Sequence, residues 1–271
     1  MELQNEKQRF EGQGVKLAAI SYDSPAILKD FAERHKIDYP LLADPDSKII
    51  TRYGVLNAQA TGMRKGIARP GYFYIDASGT IREKYFEAKY TDRFTANNVM
   101  GKLFPELAGG VSQKIAAPHL NLELNQSDEA VVPGSRLSFS VQIELPENVH
   151  VYAPSVNGYE PIQLELQPSR EAELTPPAYP APTILYLEAI KERVPVFEGS
   201  VRITFDGTIG TSPDFTKTLG TNGRTITIAG QLNYQACDKT TCYFPVSAPL
   251  RWHIKVLPLD RQRSPGAIQH K

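Results

Sequence analysis

From residue 119 onward the apolar residues fall on every second position. Leu120/Leu122/Leu124, Leu137/Phe139/Val141/Ile143/Leu145 and Ile162/Leu164/Leu166 alternate with polar neighbours. So do Val201/Ile203/Phe205, Ile226/Ile228 and Leu250/Trp252/Ile254/Val256. Successive side chains of a strand point to opposite faces, so this period belongs to half-buried β-strands. Many short strands of this kind, broken by proline-rich turns, argue for an all-β sandwich spanning residues 119–258. Pro176-Pro177, Pro180 and Pro182 mark an irregular loop within it, expected to act as a cap, and residues 208–222 read as a second loop. Residues 259–271 read as a flexible tail.

The chain's two cysteines lie inside this region, in Tyr234-Gln235-Ala236-Cys237-Asp238-Lys239-Thr240-Thr241-Cys242-Tyr243-Phe244-Pro245. Fully extended, the segment would hold the two Cα atoms roughly 17 Å apart. A disulfide needs about 5.5 Å, so a bond requires the chain to fold back between them. Asp238-Lys239-Thr240-Thr241 is polar and has the length of a four-residue hairpin loop. A ring this small contributes only about 2 kcal/mol in the chain-entropy model, which suits a bridge that opens and closes. A permanent structural disulfide and a pair of free buried thiols fit the same residues. Zinc fits poorly, because it takes four ligands in recognisable spacings and there is no second pair. Neither a metal nor a cofactor is expected.

Residues 1–108 have a different texture. A helix is expected over 2–11, with Leu3 and Phe10 on one face. Val15–Ser21 is an apolar run of the buried parallel type. Asp23-Ser24-Pro25 opens a helix whose stripe is Ile27, Leu28, Phe31 and Ala32. Residues 39–43 are extended, and Asp44-Pro45-Asp46 leads into a helix that stops at Gly54. Strands follow at 71–76 and 80–86 around Ala77-Ser78-Gly79, and a helix at 91–105 carries Phe94, Val99 and Leu103. Together these make an α/β unit. Residues 109–118 read as a linker between the two domains.

At 271 residues the chain has enough length for two domains. Its 30 basic and 30 acidic residues cancel, so charge gives no argument for a nucleic-acid partner. No apolar run approaches the ~20 residues of a membrane-spanning helix. The first ten residues lack the apolar core of a secretory signal, so a cytoplasmic location is expected for the chain as written.

The Tyr-Gln-Ala-Cys-x4-Cys-Tyr-x-Pro segment, set between alternating strands, resembles the N-terminal domain of the thiol:disulfide interchange protein DsbD. The resemblance covers roughly residues 119–258. It implies an immunoglobulin-like sandwich whose cysteine pair, Cys237 and Cys242 here, passes electrons to a redox partner protein by disulfide exchange. It also implies a cap shielding the pair, for which Tyr152 and Tyr186 are the candidate residues. It further implies a periplasmic setting, which would hold if the start of the chain is truncated.

Residues 1–105 resemble the later part of a thioredoxin-like fold of the peroxiredoxin (AhpC/TSA redoxin) type. The matching segments are Ala19-Ile20-Ser21-Tyr22-Asp23-Ser24-Pro25, Pro40-Leu41-Leu42-Ala43-Asp44-Pro45-Asp46 and Arg69-Pro70-Gly71-Tyr72-Phe73-Tyr74-Ile75-Asp76-Ala77-Ser78-Gly79-Thr80-Ile81. In that family the residue matching Pro70 is often a cis-proline at the redox centre, and Arg69 falls near an arginine that supports the reactive thiolate. The family's reactive cysteine opens the first helix, after a first strand. Here no cysteine precedes Cys237, and residue 1 already lies along that helix. The chain is therefore expected to be a shortened form of a longer parent, with an incomplete thioredoxin-like domain lacking its first strand and active-site turn.

The expected function is thiol–disulfide exchange through Cys237 and Cys242, by a redox protein whose redoxin half is inactive. The alternative is a non-catalytic binding sandwich with a structural disulfide and a vestigial redoxin domain.

Overall fold

The computed structural model describes residues 2–107, 110–187 and 191–269. Its contacts divide the chain into two units, one of residues 2–106 with 259–269 and the other of residues 107–258.

The first unit is α/β. Helix Glu2–Gly12 buries Phe10, as its spacing predicts. Helix Pro25–His35 starts as Asp23-Ser24-Pro25 implies. Ser24 is extended, its hydroxyl accepts from the Ile27 amide at 3.4 Å, and Pro25 occupies the first turn, where no amide hydrogen is needed. Lys36 ends the helix in the left-handed conformation. Strand Ala19–Ser21 runs parallel to Leu41–Ala43, and Gly71–Ile75 runs antiparallel to Ile81–Phe86. Among the described residues these remain two separate two-stranded sheets.

The sequence expectation of a buried strand over Val15–Ser21 is met only in part. Three of those residues are strand, and Ile20 and its partner-strand neighbour Leu42 are 38% and 51% exposed. Helix 91–105 is also shorter than expected, running Ala96–Leu103. The Thr95 hydroxyl accepts from the Asn98 amide at 3.0 Å and caps a helix that starts two residues past Phe94. Phe94 instead packs edge-on to Tyr85, 5.7 Å between ring centroids. Residues 259–269 are not a separate tail. They group with this unit, form a short 3-10 turn at Gly266–Ile268, and bring the Asp260 carboxylate 3.8 Å from the His35 imidazole.

The second unit is β-rich and sandwich-like. One sheet runs Ala172–Leu174, Ser200–Ile209, Ser135–Glu144, Leu120–Gln126, Val111–Ala117, all antiparallel. Another runs Gln163–Leu166, Arg224–Tyr234, Val246–Val256, with Ala130–Val131 parallel at its edge. The alternating residues of both sheets meet in one core. Phe139 stacks on Phe205 at 4.8 Å, and the Trp252 ring stands edge-on to both. Aromatic pairs in these geometries add to the area they bury.

The linker expected at 109–118 is an edge strand. Val111–Ala117 pairs with Leu120–Gln126 through a tight turn at Pro118-His119, where His119 takes φ 66°. Most of its side chains face solvent, so no apolar alternation betrays it. The loop expected at 208–222 contains helix Pro213–Lys217, capped by Ser212.

Candidate redox site

A third, smaller sheet holds the cysteines. It runs Thr183–Leu187, Glu192–Glu198, His150–Tyr152, Ala236–Cys237, all antiparallel. The long strand Arg224–Tyr234 supplies it. Past Tyr234 the chain leaves its partner Val246–Val256, and Ala236–Cys237 pairs with His150–Tyr152 instead. Alternation then sorts the small sheet's faces. Val151, Ala236 and Phe197 join the sandwich core, while Tyr152, Cys237, Val194 and Val196 form a cluster on the opposite face.

Cys237 and Cys242 are disulfide-bonded, with Cα atoms 4.0 Å apart, and face each other as an antiparallel bridge. The fold-back anticipated for Asp238–Thr241 is there. The Asp238 amide donates to the Thr241 carbonyl at 2.8 Å, and the Tyr243 amide to the Ala236 carbonyl at 2.9 Å. The Asp238 carboxylate organises the loop. It accepts from the Thr240 and Thr241 amides, each at 2.8 Å, from the Thr240 hydroxyl at 3.0 Å and from the Tyr243 hydroxyl at 2.8 Å. Those donors, the Thr240 amide foremost, hold its pKa well below the usual carboxylate range. The Tyr243 ring stacks on His119 at 3.7 Å.

The two cysteines differ in exposure. Cys237 is buried at 1% exposure, whereas Cys242 lies on the exposed side of the loop next to Phe244, which is 92% exposed. Tyr152, fully buried, places its hydroxyl 3.9 Å from the Cys242 sulfur. Burial raises the Tyr152 pKa, so the phenol keeps its proton at neutral pH. Its ring stacks on Tyr159 at 4.4 Å, and the Tyr159 hydroxyl donates to Glu192 at 2.6 Å. That bond pushes the Tyr159 pKa up to about 12.

Of the two expected cap tyrosines, the structure brings Tyr152 to the pair and leaves Tyr186 away from it. In strand Thr183–Leu187, Leu185 and Leu187 pack on the Tyr152/Cys237 cluster, so Tyr186 points to the other face and is 47% exposed. The proline-rich segment 176–182 is not the cap either. Ala178 exchanges both backbone hydrogen bonds with Thr204, at 2.7 and 3.0 Å, which ties it to the edge of a different sheet. The cover over Cys237 comes from Val156, Tyr159, Leu185 and Leu187. Sequence reasoning also passed over His150, although two residues before Tyr152 in a strand means the same face.

In the first unit, Arg69 and Pro70 line a largely apolar cleft of about 640 Å³ together with Leu17, Ile20, Tyr53 and Phe73. No peptide bond among the described residues is cis, so Pro70 does not take the cis form expected for it. The chain has no cysteine in this unit. No group of histidine, cysteine and carboxylate side chains suited to a metal occurs among the described residues. No helix among them is long and apolar enough to cross a membrane.

Residues 122–249 match the family model "Thiol:disulfide interchange protein DsbD, N-terminal". That match encloses the whole cysteine site and most of the sandwich. Residues 1–84 match the AhpC/TSA family model. The putative peroxiredoxin bcp of Haemophilus influenzae is 32% identical over 92 residues, 33% of this chain and 59% of that protein. The chain thus spans somewhat over half of that relative's length. Two solved structures are similar at low identity. One is the N-terminal periplasmic domain of ScsB from Proteus mirabilis, 11% identical, with a TM-score of 0.37 over 52% of this chain and 51% of that one. The other is the Neisseria meningitidis DsbD N-terminal domain in the reduced form, 15% identical, with a TM-score of 0.28 over 44% and 82%. Two separate segments of the chain thus match redox family models, and the second of them encloses the bonded cysteine pair.

Proposed function

We propose that the chain is a thiol–disulfide oxidoreductase acting through Cys237 and Cys242 on a protein partner with an exchangeable disulfide or dithiol. The supporting observation is the asymmetry of the pair, one cysteine exposed on a loop and the other buried among aromatic and aliphatic side chains. Exchange proceeds by in-line attack of a thiolate on a disulfide sulfur, so the sulfur that meets a partner must be reachable. Cys242 therefore forms the mixed disulfide and Cys237 resolves it. When the reduced pair acts, the Cys242 thiolate attacks the partner disulfide and one partner sulfur leaves. Cys237 then attacks Cys242, releasing the second partner sulfur. Two electrons pass to the partner and the Cys237–Cys242 bond closes.

The redoxin-type unit contributes no thiol to this chemistry. A peroxidatic step needs a thiolate of lowered pKa, and Arg69 has none to support. A closed bridge is the state favoured in an oxidising compartment such as the bacterial periplasm, the location we infer from the DsbD-type match.

One observation favours the other reading, a binding sandwich with a permanent bridge. The four hydrogen bonds accepted by Asp238 clamp the loop in its bonded form. Trapping separates the two. Incubated with oxidised glutathione, reduced Cys237→Ser should hold a stable glutathione adduct at Cys242 by mass spectrometry, and Cys242→Ser should form little. Equal adducts on both variants would remove the assignment of roles.

A further inference from the structure

We propose that His150 accepts and returns the Cys237 proton during exchange, an inference that rests on the exchange reading above. His150 is the register partner of Cys237 across the antiparallel pair, so both side chains leave the sheet on the same face. Directly opposed Cβ atoms in such a pair lie about 4.5–5.5 Å apart. His150 is 4% exposed, and its Nε2 has no hydrogen-bond partner among the described residues. A buried polar nitrogen without a partner is costly and points to a role that the resting state does not satisfy.

The need comes from Cys237. Its sulfur is buried, so the proton it must lose before attacking Cys242 has no direct exit to water. A buried thiolate left uncompensated is disfavoured. The groups facing His150 suit the task. Glu198 is its register partner on the other neighbouring strand, Asp238 follows Cys237, and the Tyr152 ring stands edge-on at 5.5 Å. Burial lowers the imidazole pKa, which keeps it neutral and able to accept a proton near pH 7. The charges of Glu198 and Asp238 act the other way and support the imidazolium once it forms.

The step balances as follows. With Cys242 joined to the partner, Nε2 takes the thiol proton of Cys237 and the thiolate attacks the Cys242 sulfur. The bond from Cys242 to the partner breaks, the partner sulfur leaves with the electron pair, and it is protonated as His150 gives up its proton. In the reverse direction Cys237 is the leaving thiolate, and imidazolium returns its proton. Tyr152 serves the outer sulfur and His150 the inner one.

The test uses the full reduced chain and oxidised glutathione, with rapid quenching and mass spectrometry between about pH 5 and 9. Adduct formation at Cys242 and adduct loss through Cys237 are read as separate rates. His150→Gln should leave the first rate unchanged and slow the second on the order of 100-fold near neutral pH. The deficit should shrink as pH rises and the thiol loses its proton without help. An unchanged second rate and pH profile would overturn the proposal, as would an equal fall in both rates. No adduct on the wild-type chain would instead remove the exchange reading itself. A measurement without any His150 substitution guards against misfolding. The assigned His150 ring resonance should titrate at a different pH in the reduced wild type than in reduced Cys237→Ala, and identical titrations would overturn the proposal.

Discussion

The two units divide what a redox protein needs. The redoxin-type unit has a cleft lined by Arg69 and Pro70 but no cysteine. The β-rich unit has both cysteines, a buried tyrosine beside one and a buried histidine in register with the other. Their packing differs as well. In the first, Ile20, Leu42, Ile49, Tyr53 and Ile75 are 38% exposed or more, and among the described residues Ala19–Ser21 pairs only with Leu41–Ala43 and Gly71–Ile75 only with Ile81–Phe86. In the second, the alternating residues of two sheets close over one core. Residues 1–84 thus match a redoxin family model through strand-to-helix joints and turns, while the cysteines lie in the other unit. Chemistry has to be located by following the sulfur, not the motif.

The comparison breaks most sharply on activity. Cys237→Ser should abolish turnover between a disulfide donor and a dithiol acceptor, whereas Arg69→Ala should leave it unchanged. Loss of exchange in Arg69→Ala would mean that the first unit takes part after all. Stability gives the next contrast. Phe139, 1% exposed and stacked on Phe205, should cost about 3–5 kcal/mol when changed to Ala, read from urea unfolding by fluorescence of the single Trp252. Ile75→Ala, at a position 45% exposed, should cost less than about 0.5 kcal/mol, read by circular dichroism.

The smallest effect is in the cysteine loop. The Asp238 pKa is lowered on folding, so its contribution is complete above the unfolded carboxylate value of about 3.9 and fades as pH falls through the lower folded value. The Thr240 and Thr241 amide resonances should therefore keep their neutral-pH positions at about pH 4. A midpoint at the ordinary carboxylate value would show that the carboxylate does not hold the loop.

The sandwich was legible because burial on one face writes a period of two into the sequence, as in Leu137/Phe139/Val141. The hairpin between the cysteines was legible because a short polar segment joins them. Val111–Ala117 was not, since an edge strand facing solvent carries no apolar signal. The cap was misplaced for a related reason. Prolines at 176–182 announce irregular backbone without saying which sheet edge holds it, and Ala178 is held by Thr204. Tyr186 looked eligible by composition, but one step along a strand put it on the wrong face. Tyr152 and His150 share a strand and a face, a relation visible in the sequence once the strand itself is assigned.

The reduction potential of the Cys237–Cys242 pair tests the central claim most directly. It is measured on the full chain by equilibrating it in graded thiol–disulfide buffers and counting free thiols. An exchange-active pair should titrate well above about −300 mV, in the range where protein partners can reduce and reoxidise it. A potential below about −300 mV, typical of bridges that stay closed, would contradict the account and leave the β-rich unit as a binding module.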